Sequence, residues 1–189
     1  MLATTEPSAS GWVERFLPLI GAGGRVLDLA AGGGRHTRLL LAAGFAVRAA
    51  DRDTTALAAL AGPRCEVVAV DLETGAPWPL GGGYDGIVVA NYLHRPLFPA
   101  IVAALAPGGV LIYETFALGN ERFGRPRNPD FLLRPGELID ACAGLAIVAF
   151  EQGAVARPRP AAIQRIAAVN GPLGALPEPR TLDISTTTE

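Results

Sequence analysis

The run from Val26 to Gly34, with the sequence VLDLAAGGG, constrains the fold of this chain more than any other segment. It indicates a buried strand, a glycine turn and a helix that begins near Arg35. Glycines at such a turn let the backbone approach a ligand closely. A nicotinamide fingerprint would need a further glycine where Thr37 stands. Because Asp28 would repel a pyrophosphate at the helix N-terminus, the turn favours a cationic or hydroxyl-rich ligand over a dinucleotide.

Length and hydropathy indicate a single domain. The chain has 189 residues, half of them hydrophobic, which is enough for one good core. We predict a domain over 10–171, with flexible segments at 1–9 and 172–189. No apolar run reaches the ~18 residues of a membrane span. The first residues lack the basic start and apolar stretch of a secretory signal, so a cytoplasmic protein is expected.

The composition excludes several kinds of chemistry. All sixteen basic residues are arginine, so Schiff-base, pyridoxal-phosphate and P-loop lysines are ruled out. A net charge of −2 argues against broad nucleic-acid binding. The only cysteines, Cys65 and Cys142, are far apart in apolar surroundings, and the only histidines are His36 and His94. We therefore expect buried thiols and no metal site.

Short apolar runs alternate with helical patterns along most of the chain. A first helix should begin after Ser10, which is a suitable N-cap. Further helices are predicted at 35–43, 54–61, 97–106 and 135–143, and strands at 25–30, 45–50, 65–70, 86–90, 109–113, 145–152 and 161–170. The last two strands, joined by a Pro- and Arg-rich connection, should form an antiparallel hairpin. The pattern predicts an α/β fold: a doubly wound, mostly parallel seven-stranded sheet with a C-terminal antiparallel hairpin.

Polar side chains lie in or directly after the first four of these strands. Asp28 lies in the first, and Asp51, Asp71 and Asn91 come directly after the next three. All should therefore lie along the sheet edge where ligands bind. Asp51 follows Gly34 by 17 residues, near the spacing at which an acid accepts from ribose hydroxyls. Alternatively Asp51 caps the next helix, a role that Asp53 could equally fill.

The segment from Asp28 to Gly34 resembles motif I of the class I S-adenosylmethionine (SAM) dependent methyltransferases. Its continuation, Gly34 to Thr37, is similar to the small bacterial tellurite/thiopurine-type group, and the likeness extends over roughly Trp12 to Asn170. The resemblance implies the Rossmann-like methyltransferase fold, SAM as cofactor with S-adenosylhomocysteine as product, and a small-molecule acceptor.

The resemblance also implies roles for residues on the cofactor side. Asp28 would lie near the methionine part of SAM, and the acid at 71 would accept from the adenine amino group. Gly32 and Gly34 would bring backbone groups close to the methionine part, and Arg35 could pair with the methionine carboxylate. Trp12 could lie over the cofactor as a lid or, alternatively, pack in the core. The full cofactor set is Trp12, Asp28, Ala30, Gly32, Gly34, Arg35, Asp51, Arg52, Asp71, Leu72, Asn91 and Tyr92.

Residues after the fourth strand should face the methyl acceptor. Amino-methylating members of the family often have Asn/Asp-Pro-Pro-Tyr/Phe there. This chain has Asn91, Tyr92, Leu93 and His94, and the missing prolines weaken an amide or adenine-nitrogen acceptor. His94 is the candidate general base and Tyr92 a hydrogen-bonding wall. Alternatively, His94 and Arg95 form a capping pair.

A polar loop over 117–134 completes the acceptor side. Its arginines could hold an anionic group, and an aromatic side chain could form a wall. A solvated loop neutralised by Glu121 and Asp130 is the alternative. The candidate acceptor residues are Arg95, Glu114, Arg122, Phe123, Arg125 and Arg127. Similarity to the tellurite/thiopurine group suggests a soft sulfur, selenium or tellurium nucleophile.

Other functions stay open at this point. Within the enzyme class, RNA or a protein side chain could be the acceptor, with the arginines of 122–134 as a docking edge. Outside it, the chain could be a catalytically silent SAM-binding module. A nicotinamide-dependent reductase is disfavoured by Thr37 and Asp28.

Overall fold

The computed structural model describes residues 8–172, which form a seven-stranded sheet with helices on both faces. The helices are α1 (Gly11–Phe16), α2 (Arg35–Ala42), α3 (Phe98–Ala103) and α4 (Glu137–Ala141). The strands are β1 (Arg25–Leu29), β2 (Ala46–Asp51), β3 (Cys65–Ala69), β4 (Tyr84–Ala90), β5 (Leu105–Phe116), β6 (Ala146–Val155) and β7 (Ala161–Val169). The sheet order is β3-β2-β1-β4-β5-β7-β6.

Strand pairing confirms the predicted fold class. Strands β1 to β5 pair in parallel, whereas β7 is antiparallel to both β5 and β6. The parallel strands are buried on both faces because alternate side chains enter two separate cores. Leu27 and Leu29 pack with helices α3 and α4, while Val26 packs with α1 and α2 on the other face.

The sheet order fixes where a ligand can bind. The chain runs from β1 outward to β3 and then returns to the other side of β1 with β4. The gap between the carboxyl ends of β1 and β4 is therefore a topological switch point, where ligands bind in doubly wound sheets. The antiparallel hairpin brings the connection 156–160 to the same edge, because β7 begins opposite the end of β5.

The first helix agrees with its sequence signal. Ser10 is its N-cap, and the Ser10 hydroxyl accepts from the backbone N–H of Trp12 at 3.1 Å. Of the predicted flexible ends, residues 1–7 and 173–189 lie outside the described residues. None of the described helices is long and apolar enough to cross a membrane.

The helix predicted over 54–61 is wrong. The structure has turns and a single 3-10 turn, Ala58–Leu60. Leu57 is buried and Leu60 is partly buried against a small cluster with Ala31, while most other side chains of this segment are exposed. The apolar face is therefore too narrow to hold a longer helix against the sheet. Gly62 and Pro63 then stop any continuation.

The elements around β5 are displaced from their predicted bounds. A 3-10 turn, Arg95–Leu97, precedes α3, which ends at Ala103 rather than 106. Strand β5 already begins at Leu105 and extends to Phe116, well beyond the predicted 109–113. Its first part includes Pro107, Gly108 and Gly109, which carry no strand signal in the sequence and fall in the register shift between the Tyr84–Leu105 and Gly86–Val110 pairs. The two glycines bond the backbone of Asn170 instead.

Candidate functional site

Two non-glycine residues with positive φ mark the switch point. Ala30 (φ 56°) follows β1 and Asn91 (φ 58°) follows β4, and no other non-glycine residue within 8–172 has this conformation. Leu29 and Val89 are register partners, so the two bends lie side by side. Such backbone costs about 1–3 kcal/mol per residue and is concentrated at functional sites.

Asp28 is a buried acid beneath this edge. Its side chain is 1 % exposed, and its Oδ2 accepts a 2.6 Å hydrogen bond from Thr37 Oγ1. Burial raises the pKa of Asp28 to about 6, although the bond from Thr37 and the charge of Arg35 act in the opposite direction. In the sequence, Thr37 departs from the nicotinamide fingerprint and belongs to the Gly34–Thr37 likeness, and neither pattern predicts this hydrogen bond. The role of Thr37 is to bond the acid from the first turn of α2.

Asp51 ties the glycine turn to the next loop. Its Oδ2 accepts from the backbone N–H of Gly32 at 2.8 Å, and its Oδ1 accepts from that of Asp53 at 3.0 Å. The alternative role as a helix cap is wrong, because no helix follows. A carboxylate has about four lone-pair sites, so Asp51 can still accept from a ligand hydroxyl.

The three glycines of the turn differ in purpose. A Cβ on Gly32 or Gly33 would meet no atom within 4 Å, so both present open backbone at the surface. A Cβ on Gly34 would lie 2.9 Å or less from Leu57 and Leu60. The N–H of Gly34 donates to Ala31, and its carbonyl accepts from the helix. Gly34 is therefore required for packing, and its role as a cofactor contact stays a prediction.

A second group of acids follows β3. Asp71 is exposed, and its Oδ1 accepts from the N–H of Glu73 at 2.9 Å. Leu72 is half-buried against the core. Arg52, after β2, is exposed like Asp71. Asp51 and Asp71 follow neighbouring strands, as the sequence predicted.

Tyr92 turns toward these acids. Burial is the main cause that raises the pKa of Tyr92, and the charges of Glu73, Asp71 and Asp51 raise it further. The hydroxyl oxygen is shielded from solvent, and a hydrogen bond with the Glu73 side chain also raises the pKa of the phenol. Since all three acids belong to the loops after β2 and β3, the phenol lies on the predicted cofactor side of the edge. A phenol with a raised pKa is also a poor base at neutral pH.

Trp12 and Arg35 do not occupy the predicted positions. Trp12 is 2 % exposed, packs against Phe16, and donates from its indole N–H to the carbonyl of Ile166 at 3.2 Å. It is a core residue, so the predicted lid is wrong. Arg35 is half-buried and donates to the carbonyl of Ser8 at 3.1 Å.

His36 connects α2 to the start of α1. Its Nε2 accepts from the backbone N–H of Ser10 at 3.2 Å, and the ring is 3 % exposed. Burial, with a smaller contribution from the charge of Arg35, lowers the pKa of His36 to about 4. The ring is therefore a neutral packing residue.

Arg95 belongs to an ion-pair cluster around the buried Glu137. It donates to both carboxylate oxygens of Glu137, at 2.6 and 3.0 Å, and to the carbonyls of Asp130 and Leu132. Burial alone would raise the pKa of Glu137, but hydrogen bonds from Arg95 and Arg134 lower it to about 2. With its donors engaged in this way, the guanidinium holds the loop after β5 against α4. Its predicted substrate contact is therefore wrong.

Glu114 is also engaged elsewhere. Its carboxylate lies 3.5 Å from the guanidinium of Arg165, which bonds Glu151 on β6 more closely and lies over the Trp12 ring. The side chain of Glu114 is only 14 % exposed. It therefore joins a charge network across β5, β7 and β6, and the prediction that it contacts substrate is wrong.

His94 and the loop arginines remain accessible. His94 is half-buried at the start of the 3-10 turn and makes no side-chain cap, so the proposed capping pair with Arg95 is wrong. Within residues 8–172, no acid forms a salt bridge with Arg122, Arg125 or Arg127. Phe123 is 42 % exposed beside the first of them.

The loop also borders a small cavity. It has a volume of about 120 Å³ and lies between the loop and the β6–β7 hairpin. Its floor is apolar, with Leu118, Leu133 and Ile163, and its rim carries Arg122 and Gln152. A larger cavity of about 350 Å³ lies along β6 from Phe150 to Val155 and also contacts Ile163 of β7. In the part of the chain described, no group of three or more His, Cys, Asp or Glu residues is arranged to hold a metal.

Comparison with known proteins gives similarity in fold only. No protein-family model matches the chain, and no curated protein matches its sequence. Among solved structures, TehB from Haemophilus influenzae aligns with a TM-score of 0.69 at 16 % identity, over 88 % of this chain and 64 % of TehB. The chain thus spans less than two thirds of that protein.

Two further structures show what the fold can support. The 1,6-didemethyltoxoflavin-N1-methyltransferase of Burkholderia thailandensis, solved with S-adenosylhomocysteine, aligns with a TM-score of 0.65 at 22 % identity, over 85 % of this chain and 78 % of that one. The [4+2]-cyclase SpnF aligns with a TM-score of 0.62 at 15 % identity, over 85 % and 78 %. Together with the strand order and terminal hairpin, these likenesses show that the chain has the Rossmann-like fold of the class I SAM-dependent methyltransferases.

Proposed function

We propose that the protein is a SAM-dependent methyltransferase that acts on a small acceptor. The observation that carries this proposal is the geometry of the glycine turn: Asp51 holds Gly32 by a 2.8 Å hydrogen bond beside the buried Asp28. Solved methyltransferases with the same fold, one of them holding S-adenosylhomocysteine, support it.

The chemistry of the edge fits this cofactor. When bound, SAM supplies a methyl group on a positively charged sulfonium. Asp28 places a carboxylate beneath the switch point, where it favours a cation. Asp51 would accept from ribose hydroxyls and Asp71 from the adenine amino group, while open backbone at Gly32 permits close approach. Ala30, Arg52, Leu72 and Asn91 are the remaining residues at this edge that we assign to the cofactor.

The acceptor side has the opposite charge. The loop after β5 presents Arg122, Arg125 and Arg127, and its Glu121 accepts from the backbone N–H of Gly119 instead of an arginine. Exposed guanidiniums without acid partners favour an anionic group, and Phe123 adds an apolar surface. We infer a small anionic acceptor with a soft sulfur, selenium or tellurium nucleophile. His94 would remove its proton where one must leave.

A catalytically silent SAM-binding module is the second candidate. The pairing of Arg95 with Glu137 and of Glu114 with Arg165 leaves few accessible polar groups for an acceptor. The [4+2]-cyclase also shows that the fold does not determine the reaction. This candidate predicts cofactor binding without methyl transfer to any small acceptor.

Calorimetric titration with SAM, S-adenosylhomocysteine and NADH tests the proposal. We expect micromolar binding of the two adenosyl ligands and none of NADH. Asp51→Ala should weaken their binding at least tenfold, because it removes a ligand contact and releases Gly32. Asp53→Ala is the matched control, because the Asp53 side chain is exposed and accepts only from the N–H of Thr55 in its own loop. The affinity of this variant for the adenosyl ligands should stay within about twofold of that of the original protein.

Two results would contradict the proposal. One is binding of NADH, and the other is absence of adenosyl-ligand binding by protein whose circular dichroism and cooperative unfolding show it to be folded. Either would leave the glycine turn with a structural role only.

A further inference from the structure

The small cavity between the loop after β5 and the β6–β7 hairpin combines an apolar wall with a single charge. Leu133 and Ile163 line it from the core, and Leu118 lines it from the surface, where nearly half of that side chain is exposed. Among the described residues that line the cavity, Arg122 is the only charged one. The lining therefore offers apolar contact and a cation, but no carboxylate.

Two buried amide side chains hold the walls of this cavity in place. Asn120, 1 % exposed, accepts from the backbone N–H of Ala162 at 3.2 Å, which joins the loop to the start of β7. Gln164, fully buried in β7, donates to Oε1 of Gln152 and to the carbonyl of Arg134, both at 2.8 Å. Hydrogen bonds thus fix the loop and the hairpin relative to each other, and a rigid site binds its ligand at a lower entropic cost.

The guanidinium of Arg122 is positioned for an anion. Its Nε donates to the carbonyl of Gly119 at 3.2 Å, which keeps the side chain against its own turn. The neighbouring Glu121 accepts from the N–H of Gly119, and no acid within residues 8–172 forms a salt bridge with Arg122. Its two terminal nitrogens can therefore donate side by side to a carboxylate, the geometry that arginine favours.

The size and polarity of the cavity favour an organic ligand. Its volume of about 120 Å³ is close to that of a cavity that holds benzene, ~150 Å³, so an apolar group of about five carbon atoms fits. A selenite or tellurite ion would use the arginine and none of the apolar wall. A ligand with an apolar group beside its anion would use both.

We propose that the acceptor is an organic amphiphilic anion, and not an inorganic chalcogen oxyanion: its apolar group binds in this cavity while its anionic group pairs with Arg122. This inference rests on the proposed function and names the class of acceptor. Ala117, which lines the cavity, directly follows β5. The cavity therefore adjoins the same carboxyl edge of the sheet at which the cofactor is proposed to bind.

Straight-chain carboxylates from acetate to hexanoate test the binding site. In ligand-observed NMR titrations of the protein saturated with S-adenosylhomocysteine, the dissociation constant should fall up to about fourfold with each added methylene. Selenite, which has no apolar group, should not displace hexanoate. Arg122→Met keeps the aliphatic stem and removes the charge, and it should weaken hexanoate binding about five- to tenfold.

Two further variants separate the charge from the cavity. Arg157→Met is the matched control for charge, because Arg157 is exposed in the connection 156–160 at the same edge and does not line the cavity. Its affinity for hexanoate should stay within about twofold of the original. Ala154 is exposed on β6 and lines the cavity, so Ala154→Leu should fill the space without disturbing the core. Hexanoate should then bind no better than acetate.

Methyl transfer connects the cavity to the acceptor. The probes are 2-mercaptopropanoate and 2-mercaptohexanoate, whose thiolate sulfur forms a bond to the methyl carbon of SAM while the sulfonium–methyl bond breaks and S-adenosylhomocysteine leaves. KM should be at least tenfold lower for the longer thiol, and hexanoate should compete with it. Arg122→Met should raise KM for 2-mercaptohexanoate about five- to tenfold and leave kcat unchanged, because it removes a binding contact and no reacting group.

The outcomes separate this inference from the proposed function. If S-adenosylhomocysteine does not bind, the proposed function fails and the inference fails with it. If it binds, only the inference is overturned by carboxylate affinities that do not depend on chain length, by absence of transfer to both thiols, or by hexanoate that binds without competing. Equal losses of affinity in Arg122→Met and Arg157→Met would also overturn it, because the general positive field of the edge would then explain the binding.

Discussion

Thr37 Oγ1 donates a 2.6 Å hydrogen bond to Asp28 Oδ2, and both side chains are almost completely buried. The bond joins the first turn of α2 to β1 directly beneath the glycine turn. It offsets only part of the cost of burying the acid, because the pKa of Asp28 still rises to about 6. The fold therefore retains a carboxylate that is costly to ionise, at the position where a cationic ligand would gain most from it.

Replacing Asp28 should stabilise the ligand-free protein. Its folded pKa of about 6 lies above the ordinary value of 3.8, so the folded state binds the proton more tightly and stability falls as pH rises between these values. Asp28→Asn removes this loss and can still accept from Thr37. Measured by urea unfolding, the free energy of unfolding of the variant should exceed that of the original protein by about 3 kcal/mol above pH 6 and should equal it near pH 4.

The same variant should bind SAM at least tenfold more weakly at pH 7.5, because the cation loses its counter-charge. Asp53→Asn, an exposed acid in the next loop, is the control and should change neither quantity. Tighter SAM binding by Asp28→Asn would remove the acid from the site.

The contribution of His36 to stability should depend on pH in the opposite direction to that of Asp28. Its folded pKa of about 4 lies below the ordinary 6.5, so the unfolded chain takes up the proton first and stability falls as pH decreases through this window. His36→Gln can still accept from the Ser10 N–H and should not show this loss, which amounts to about 3 kcal/mol between pH 6.5 and 4. Because Asp28 and His36 act oppositely over nearly the same range, the original protein should have a flat profile. If the free energy of unfolding of His36→Gln is equally independent of pH, the contributions of Asp28 and His36 do not offset each other.

The sequence predicted those features that depend on neighbouring residues. The VLDLAAGGG run and the alternation of apolar segments are local signals, and they were sufficient for the mostly parallel seven-stranded sheet, the acids at the strand ends and the terminal hairpin. The helix at 54–61 failed because a local helical composition does not supply an apolar face. Leu57 and, in part, Leu60 are the side chains of this segment that pack against the buried cluster.

The failures in the site have a common physical cause. Arg95 is separated from Glu137 by 42 residues, and Trp12 donates to a carbonyl 154 residues away. Nothing in the local sequence distinguishes an arginine paired by a distant acid from one that awaits a ligand. The sequence therefore predicted which acids follow the parallel strands, but it did not predict the long-range partners of Arg95 and Trp12.

The cluster of Arg95, Glu137 and Arg134 should contribute to stability. Glu137 has 7 % of its side chain exposed, and Glu137→Gln would leave the guanidinium of Arg95 without its counter-charge. We expect a loss of about 3 kcal/mol in urea unfolding at pH 7. Because the folded pKa of about 2 lies below the ordinary 4.5, the difference from the original protein should shrink as pH falls through that range.

A double-mutant cycle checks that the loss comes from the pair. Arg95→Met combined with Glu137→Gln should be less destabilised than the sum of the two single variants, since no unpaired charge remains. Strict additivity would show that the two side chains do not interact. Glu121→Gln, which changes an exposed acid of the preceding loop, should be nearly neutral.

The loop arginines should act on the acceptor and not on the cofactor. In a variant with Arg122, Arg125 and Arg127 all changed to serine, KM for an anionic acceptor should rise at least tenfold at low salt. The affinity for S-adenosylhomocysteine should stay constant. Raising the salt concentration should increase KM of the original protein and leave the variant unaffected, because exposed charges are screened. Titration of a single-stranded RNA against both proteins would reveal whether this loop binds a macromolecule instead.

His94 provides the test that connects the site to the acceptor. A positioned base contributes about 10²–10⁴-fold to a reaction in which a proton must leave, but a thiolate or a reduced chalcogen needs little such help. We expect His94→Gln to leave the affinity for S-adenosylhomocysteine unchanged. Methyl transfer is measured with labelled SAM and a panel of small thiols, phenols, amines, selenite and tellurite. The transfer rate of His94→Gln should fall at least a hundredfold for phenols and amines, and only a few-fold for acceptors that are already ionised at the assay pH. His36→Gln is the matched control, since that buried ring bonds Ser10 and should not affect transfer. If His94→Gln methylates every acceptor at the original rate, the half-buried imidazole takes no proton, and alignment of the two substrates must account for the catalysis, to which it can contribute about 7–11 kcal/mol.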